Sequence, residues 1–173
     1  MSDLRALSSA PLPGLSDEDH VRGPADAAVA LVYGDFECPY CAAAANQLSG
    51  AQLRVAFRHF PIRSTHPRAW AAAGAAEAAA TQGRFWEMHD LLFADQGRLE
   101  DPHLWDRART LGLDLEQFDT DRRSAAVQRR IRRDFEAAVR GGIVTTPTLV
   151  AGGAVHAGRL SAHTVEALSA RSR

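Results

Sequence analysis

Cys38 and Cys41 are the only two cysteines in the chain, and they stand three positions apart. A thiolate, rather than a thiol, attacks a disulfide, so a cysteine becomes reactive where its ionised form is stabilised. Pro39 and the alanine-rich run after Cys41 indicate that a helix begins within this motif, with Cys38 at its N-terminus. Unpaired backbone N–H groups and the helix dipole stabilise a thiolate there. The spacing therefore predicts that Cys38 attacks a substrate disulfide and that Cys41, one turn further on, releases it.

The same spacing has two other interpretations, a metal site and an inert pair. A zinc site needs a second pair of Cys or His ligands at comparable spacing. The chain has no further Cys, and its seven His are scattered. We therefore favour redox chemistry and predict no metal site. The Gly-rich fingerprint of a dinucleotide site is also absent, so we predict no bound cofactor and expect electrons to come from another thiol system.

A second signal is Thr146-Pro147, which stands immediately before a predicted strand. Proline is tolerated at the first position of a strand, so an ordinary strand start explains it equally well. The functional interpretation is a cis-proline turn that faces the active site and leaves the Thr146 backbone free to pair with a peptide. Since only about one X–Pro bond in twenty is cis, the signal gains its weight from the cysteine pair upstream. Pro39, Tyr40, Thr146 and Pro147 are the predicted substrate-binding residues.

The elements that must hold these residues follow from the hydrophobic pattern. A continuous apolar run predicts a strand over residues 27–34, and the helix after it ends near Ser49-Gly50. Apolar and polar residues alternate over 53–58, which predicts a second strand. A helical block follows, with helices predicted over 65–82, 85–94, 101–111, from 115 and over 124–140. Two short strands around Gly152-Gly153 and a helix capped by Ser161 complete the pattern.

Four segments together resemble the DsbA-like family of thioredoxin-fold oxidoreductases. They are Asp35-Phe36-Glu37-Cys38-Pro39-Tyr40-Cys41, Arg58-His59-Phe60-Pro61, Phe85-Trp86-Glu87-Met88-His89-Asp90 and Gly142-Ile143-Val144-Thr145-Thr146-Pro147-Thr148. Their order and spacing match that family from about Val21 to Ala170. The resemblance implies a nucleophilic Cys38, a resolving Cys41 and a cis Pro147.

The fold class that follows is α/β, a thioredoxin-like fold in which a βαβ unit and a ββα unit are separated by an inserted helical domain. Residues 1–24 are predicted to be a polar N-terminal lead-in. Residues 25–62 and 143–173 form the predicted thioredoxin-like domain, and residues 63–142 the inserted helical domain.

The predicted function is thiol–disulfide exchange with protein or small-thiol substrates, supported by a thiol-based electron partner. One alternative is a thioredoxin-fold binding or chaperone module whose cysteine pair is incidental. Another is a thiol-conjugating enzyme or isomerase, against which the intact Cys41 argues. Tyr40 is neutral, and the negative charges of Asp35 and Glu37 raise a nearby thiol pKa. We therefore expect a milder oxidant than DsbA, or a reductant.

Composition excludes several other classes. The net charge is −1, and every basic residue is Arg. The arginines over 122–133 are interleaved with acidic residues, which favours a solvated helix face over a nucleic-acid site. No apolar run approaches the roughly 20 residues needed to span a bilayer. The N-terminal segment lacks a secretory signal pattern, so we expect a cytoplasmic protein with no nucleic-acid or membrane partner.

Overall fold

The computed structural model describes residues 10–170, so the first nine residues of the predicted lead-in and residues 171–173 lie outside it. The strands are β1 (His20–Arg22), β2 (Val29–Gly34), β3 (Arg54–His59), β4 (Thr148–Ala151) and β5 (Ala154–Ala157). The helices are α1 (Pro39–Ser49), α2 (Ala69–Ala80), α3 (Phe85–Ala94), α4 (Asp101–Thr110), α5 (Leu115–Asp121), α6 (Ala125–Arg140) and α7 (Ala162–Ala170). The predicted thioredoxin-like order of elements is confirmed.

The strands form one sheet in the order β1-β3-β2-β4-β5. The central strand β2 runs parallel to β3, as a crossover through α1 requires, and antiparallel to β4. Tyr33, near the end of β2, is paired with Thr148 at the start of β4. The chain leaves β2 toward Cys38 and enters β4 from Pro147. This register therefore brings the two predicted site segments to the same end of the sheet.

The N-terminal lead-in contains a strand that the sequence analysis did not predict. In β1, His20 is paired with Phe57 of β3 in antiparallel orientation at the edge of the sheet. The segment before β1 is also fixed, because the buried Arg58 donates to the Pro13 and Gly14 carbonyls at 2.6 Å each. Two further bonds join Arg58 to the Asp19 carboxylate at 2.7 and 2.8 Å. Part of the lead-in therefore belongs to the folded domain.

The helical segment shares its core with the sheet. A single cluster of buried residues includes side chains of β2, β3, α1 and helices α2 to α6. The alanine-rich helix α2 is buried on almost every side, which its small side chains allow. At Gly74 a Cβ atom would lie 2.9 Å from the Arg122 carbonyl oxygen, so that contact requires glycine. The boundaries at residues 63 and 142 stay a prediction.

The predicted starts of α5 and α6 are confirmed, and two other predictions are corrected. Asp114 and Ser124 cap α5 and α6 through bonds from backbone N–H groups three residues on. Helix α2 begins at Ala69 rather than at residue 65, because residues 62–66 form a hydrogen-bonded turn. Arg122, which the sequence placed on a solvated face, is buried and paired with Asp101 and Asp119.

Candidate functional site

Cys38 is the N-cap residue of α1 and is only 4% exposed. Its pKa is lowered to about 5, chiefly because the Cys41 thiol hydrogen-bonds to its sulfur. Burial acts in the opposite direction, while a hydrogen bond with Thr146 and the backbone N–H groups of Cys41 and Tyr40 lower the pKa further. Cys38 is therefore almost entirely a thiolate at neutral pH.

Cys41 is buried one helical turn further along and behaves in the opposite way. Burial raises the pKa of Cys41 strongly, and the hydrogen bond to Cys38 and the charge of the Cys38 thiolate raise it further. The Asp35 backbone N–H donates to the Cys41 sulfur at 3.4 Å, which partly offsets this. In the reduced pair, the lowered pKa of Cys38 and the raised pKa of Cys41 place the proton on Cys41.

The segment before β4 faces Cys38, as its register with β2 requires. The Thr146–Pro147 peptide bond is cis, and the Thr146 carbonyl oxygen lies 3.5 Å from the Cys38 sulfur. Thr146 and Pro147 are buried, whereas Pro39 and Tyr40 are exposed on the outer side of the motif. The structure thus brings Cys38, Cys41 and Thr146 into contact and places Pro147 beside them. Pro39 and Tyr40, the other two predicted substrate-binding residues, lie at the exposed margin of the site.

The carboxylates of Asp35 and Glu37 are both hydrogen-bonded to groups other than the cysteines. Asp35 is buried and accepts bonds from the Glu37 and Ile62 N–H groups at 2.8 Å and from the His66 ring at 2.9 Å. Glu37 accepts a bond from the Arg68 N–H at 2.7 Å and pairs with its guanidinium. The Cys38 pKa is lowered although these two carboxylates lie close by in the chain, and the effect of their charges on it stays a prediction.

Gln96 is a site residue that sequence reasoning missed. Its side-chain amide, in the loop after α3, donates to the carbonyl oxygens of Phe36 at 2.8 Å and Cys38 at 2.9 Å. These two bonds hold the backbone at the start of α1. No periodicity or motif distinguishes Gln96, so only the tertiary structure identifies it.

A buried charged cluster lies behind the site. His59 and His20 each contact one oxygen of Glu77, at 2.7 and 2.8 Å. Burial raises the pKa of Glu77, but its bonds to the two histidines outweigh this and hold the pKa well below its usual range. The cluster ties β1, β3 and α2 together beneath the active-site loop.

Two further properties of the described part of the chain bear on function. Within residues 10–170, no group of three or more His, Cys, Asp or Glu is arranged to hold a metal ion. Over the same range, no helix combines the length and the apolar character that crossing a membrane requires.

A family model described as Thioredoxin matches residues 15–170. The chain belongs to the thioredoxin family. Its fold is similar to that of a thioredoxin-like oxidoreductase from Silicibacter pomeroyi DSS-3, with a TM-score of 0.81 and 26% identity over 91% of this chain and 93% of that chain. The thiol-disulfide exchange protein alpha-DsbA2 from Wolbachia pipientis shares the fold, with a TM-score of 0.77 and 19% identity over 87% of this chain and 85% of that one. These findings confirm the predicted DsbA-like architecture.

One relative by sequence carries a different name. The Na(+)/H(+) antiporter NhaA 1 of Salinispora arenicola is 45% identical over 163 residues, which are 89% of this chain and 24% of the antiporter. The chain therefore spans about a quarter of the length of the curated relatives it matches. Most of the antiporter lies outside the segment that this chain matches.

Proposed function

We propose that this protein exchanges disulfides with protein or small-thiol substrates through Cys38 and Cys41, and that a thiol-based partner restores its redox state. The observation that carries the proposal is the difference between the two sulfurs. Cys38 is held as a thiolate at the start of a helix, and Cys41 is held as a thiol one turn further in. A cysteine pair with this difference in pKa has one nucleophilic thiolate and one protonated thiol that can react in a second step.

The proposed reaction has two steps. The Cys38 thiolate attacks one sulfur of a substrate disulfide, which forms a mixed disulfide and releases the first substrate thiolate. Cys41 then loses its proton and attacks the Cys38 sulfur, which closes the Cys38–Cys41 disulfide and releases the second substrate thiolate. The substrate gains two electrons and the protein loses two; the reverse sequence oxidises a dithiol.

The surroundings of Cys38 support an extended peptide as a substrate. The Thr146 backbone lies beside the reactive sulfur, at a place where a peptide can pair with it. Tyr40 and Val144 flank this position and are 54% and 84% exposed. Exposed apolar side chains of this kind favour contact with apolar residues around a substrate cysteine.

The Cys38 pKa sets an expected reduction potential. A value of about 5 lies between roughly 7 for thioredoxin and roughly 3.5 for DsbA. Each pKa unit of thiolate stabilisation corresponds to about 30 mV for a two-electron couple. The Cys38 pKa lies about two units below that of thioredoxin, whose potential is roughly −270 mV, so the expected potential of this protein is about −210 mV. We therefore expect a milder oxidant than DsbA.

The test is to equilibrate the protein in graded glutathione buffers and trap its thiols. A potential near about −210 mV supports the proposal, whereas a value near roughly −120 mV contradicts the expectation of a mild oxidant. Cys38→Ser is the control and should abolish turnover. If no intramolecular disulfide forms at any potential, the proposal fails and a thioredoxin-fold binding or chaperone module takes its place. The cytoplasmic location also stays a prediction, which cell fractionation tests.

A further inference from the structure

Resolution of the mixed disulfide requires Cys41 to lose a proton in a site that is closed to water. Cys41 is 3% exposed, so hydroxide has little access to it. The Asp35 N–H that contacts its sulfur is a donor and cannot take a proton. The Asp35 carboxylate already accepts three hydrogen bonds from groups other than Cys41. The step therefore needs another base near Cys41.

A small cavity of about 10 Å³ lies beside Cys41, between α1, α3 and strands β2 and β3. Its walls are apolar except for Cys41, His89 and Arg22. The Arg22 guanidinium has hydrogen-bond donors and no acceptor, so it cannot serve as a base. His89 is therefore the one side chain on this wall that can act as a base toward Cys41. Cys41 and His89 both line this cavity, whose volume is close to the minimum for one water molecule.

His89 is oriented as a base should be. It is 2% exposed, and its Nδ1 lies 2.8 Å from the Asp90 carboxylate. Asp90 also accepts two bonds from the Arg22 guanidinium at 2.8 and 2.9 Å, which keeps the carboxylate ionised. An ionised carboxylate at Nδ1 fixes the proton there and leaves the lone pair on Nε2. Four aromatic rings with centroids 4.8–5.7 Å away hold the imidazole, those of Phe36, Phe57, Trp86 and Phe93.

We propose that His89, oriented by Asp90, accepts the proton of Cys41 as Cys41 attacks the mixed disulfide. The inference rests on the proposed function. In this step the Cys41 S–H bond breaks and its proton passes to His89 Nε2. The Cys41–Cys38 S–S bond forms while the bond between Cys38 and the substrate sulfur breaks. The electron pair of that bond leaves on the substrate thiolate, which is then protonated from solvent.

The charges around His89 keep it available as a base. Burial lowers the pKa of His89, and the positive charges of Arg22 on β1 and His59 on β3 lower it further. Only Asp90, next to it on α3, raises the pKa, and the sum lies below the ordinary value. Cys41 on α1, which lines the same cavity, is a neutral thiol. His89 is therefore uncharged at neutral pH.

The experiment measures the resolution step by itself as a function of pH. Reduced protein is mixed with oxidised glutathione, quenched with acid, and the Cys38–glutathione mixed disulfide is counted by mass spectrometry. In the wild-type protein, the resolution rate should rise with pH as His89 loses its proton and become level above about pH 7. In His89→Gln it should fall by roughly 10²-fold or more at pH 7 and rise about tenfold per pH unit, since hydroxide must then remove the proton.

His163→Gln is the matched control, because it makes the same substitution at an exposed histidine on α7 that does not line the cavity. This variant should keep the wild-type pH dependence of the resolution rate. The proposal is overturned if His89→Gln keeps the wild-type profile. It is equally overturned if the wild-type rate rises tenfold per pH unit up to about pH 8, a result that does not depend on how any variant folds. Failure of the proposed function differs, since no mixed disulfide would then form, and it would overturn both proposals.

Discussion

The Cys41 thiol is the main cause of the low Cys38 pKa, and replacing it tests this assignment. A hydrogen bond to a charged group contributes about 1.5–3 kcal/mol, and one pKa unit corresponds to about 1.4 kcal/mol. Cys41→Ala should therefore raise the Cys38 pKa from about 5 by roughly one to two units. Cys41→Ser keeps a donor at the same position and should leave the pKa close to that of the wild-type protein.

The assay is a pH titration of the ultraviolet absorbance of the thiolate, checked by the pH dependence of alkylation with iodoacetamide. Each variant retains one thiol, so the titration belongs to Cys38 without ambiguity. If Cys41→Ala and Cys41→Ser both leave the pKa near 5, the assignment is wrong. The backbone N–H groups at the start of α1 would then be the main source of thiolate stabilisation.

Three other predictions follow from the same contacts. The Cys38 pKa is lower in the folded protein than in the unfolded chain, so the reduced protein should lose stability relative to the disulfide form as pH falls from roughly 8.5 to 5, measured by urea unfolding of both forms. Gln96→Leu should lower the free energy of unfolding by about 1–3 kcal/mol and should also change the Cys38 pKa. The control Gln82→Leu breaks two bonds with Asp114 and should lower the free energy of unfolding without changing the Cys38 pKa. Gly34→Ala should cost about 1–3 kcal/mol in urea unfolding, because its Cβ would lie 2.5 Å from the buried Phe57 ring, whereas Gly50→Ala meets nothing within 4 Å; equal losses would refute the steric argument.

The parts of the fold that could be predicted are those set by local sequence. Pro39 and the alanines after Cys41 determine where α1 begins, so the position of Cys38 at its start followed from the sequence alone. Strand β1 could not be predicted, because its three residues include one apolar side chain and only its pairing with β3 makes it a strand. Length and periodicity are the signals of a strand, and a three-residue edge strand has neither.

The electrostatics of the site depended on contacts that sequence does not show. Asp35 and Glu37 stand next to Cys38 in the chain, and their charges alone predict a raised thiol pKa. Their partners, His66 and Arg68, are about thirty positions away, as the 31-residue separations of both contacts show. Gln96 is further still, 58 positions from the Cys38 carbonyl that it holds. Each of these contacts arises from the packing of the helical segment against the active-site loop.

The two cysteines oppose each other in a way that orders the reaction. The hydrogen bond that lowers the Cys38 pKa also raises that of Cys41, and the charge on Cys38 raises it further. Both effects disappear once Cys38 is bound to a substrate sulfur, because its thiolate no longer exists. Cys41 then becomes easier to deprotonate, and only burial still holds its proton. The resolving thiol is thus least reactive before substrate arrives and more reactive after the mixed disulfide has formed.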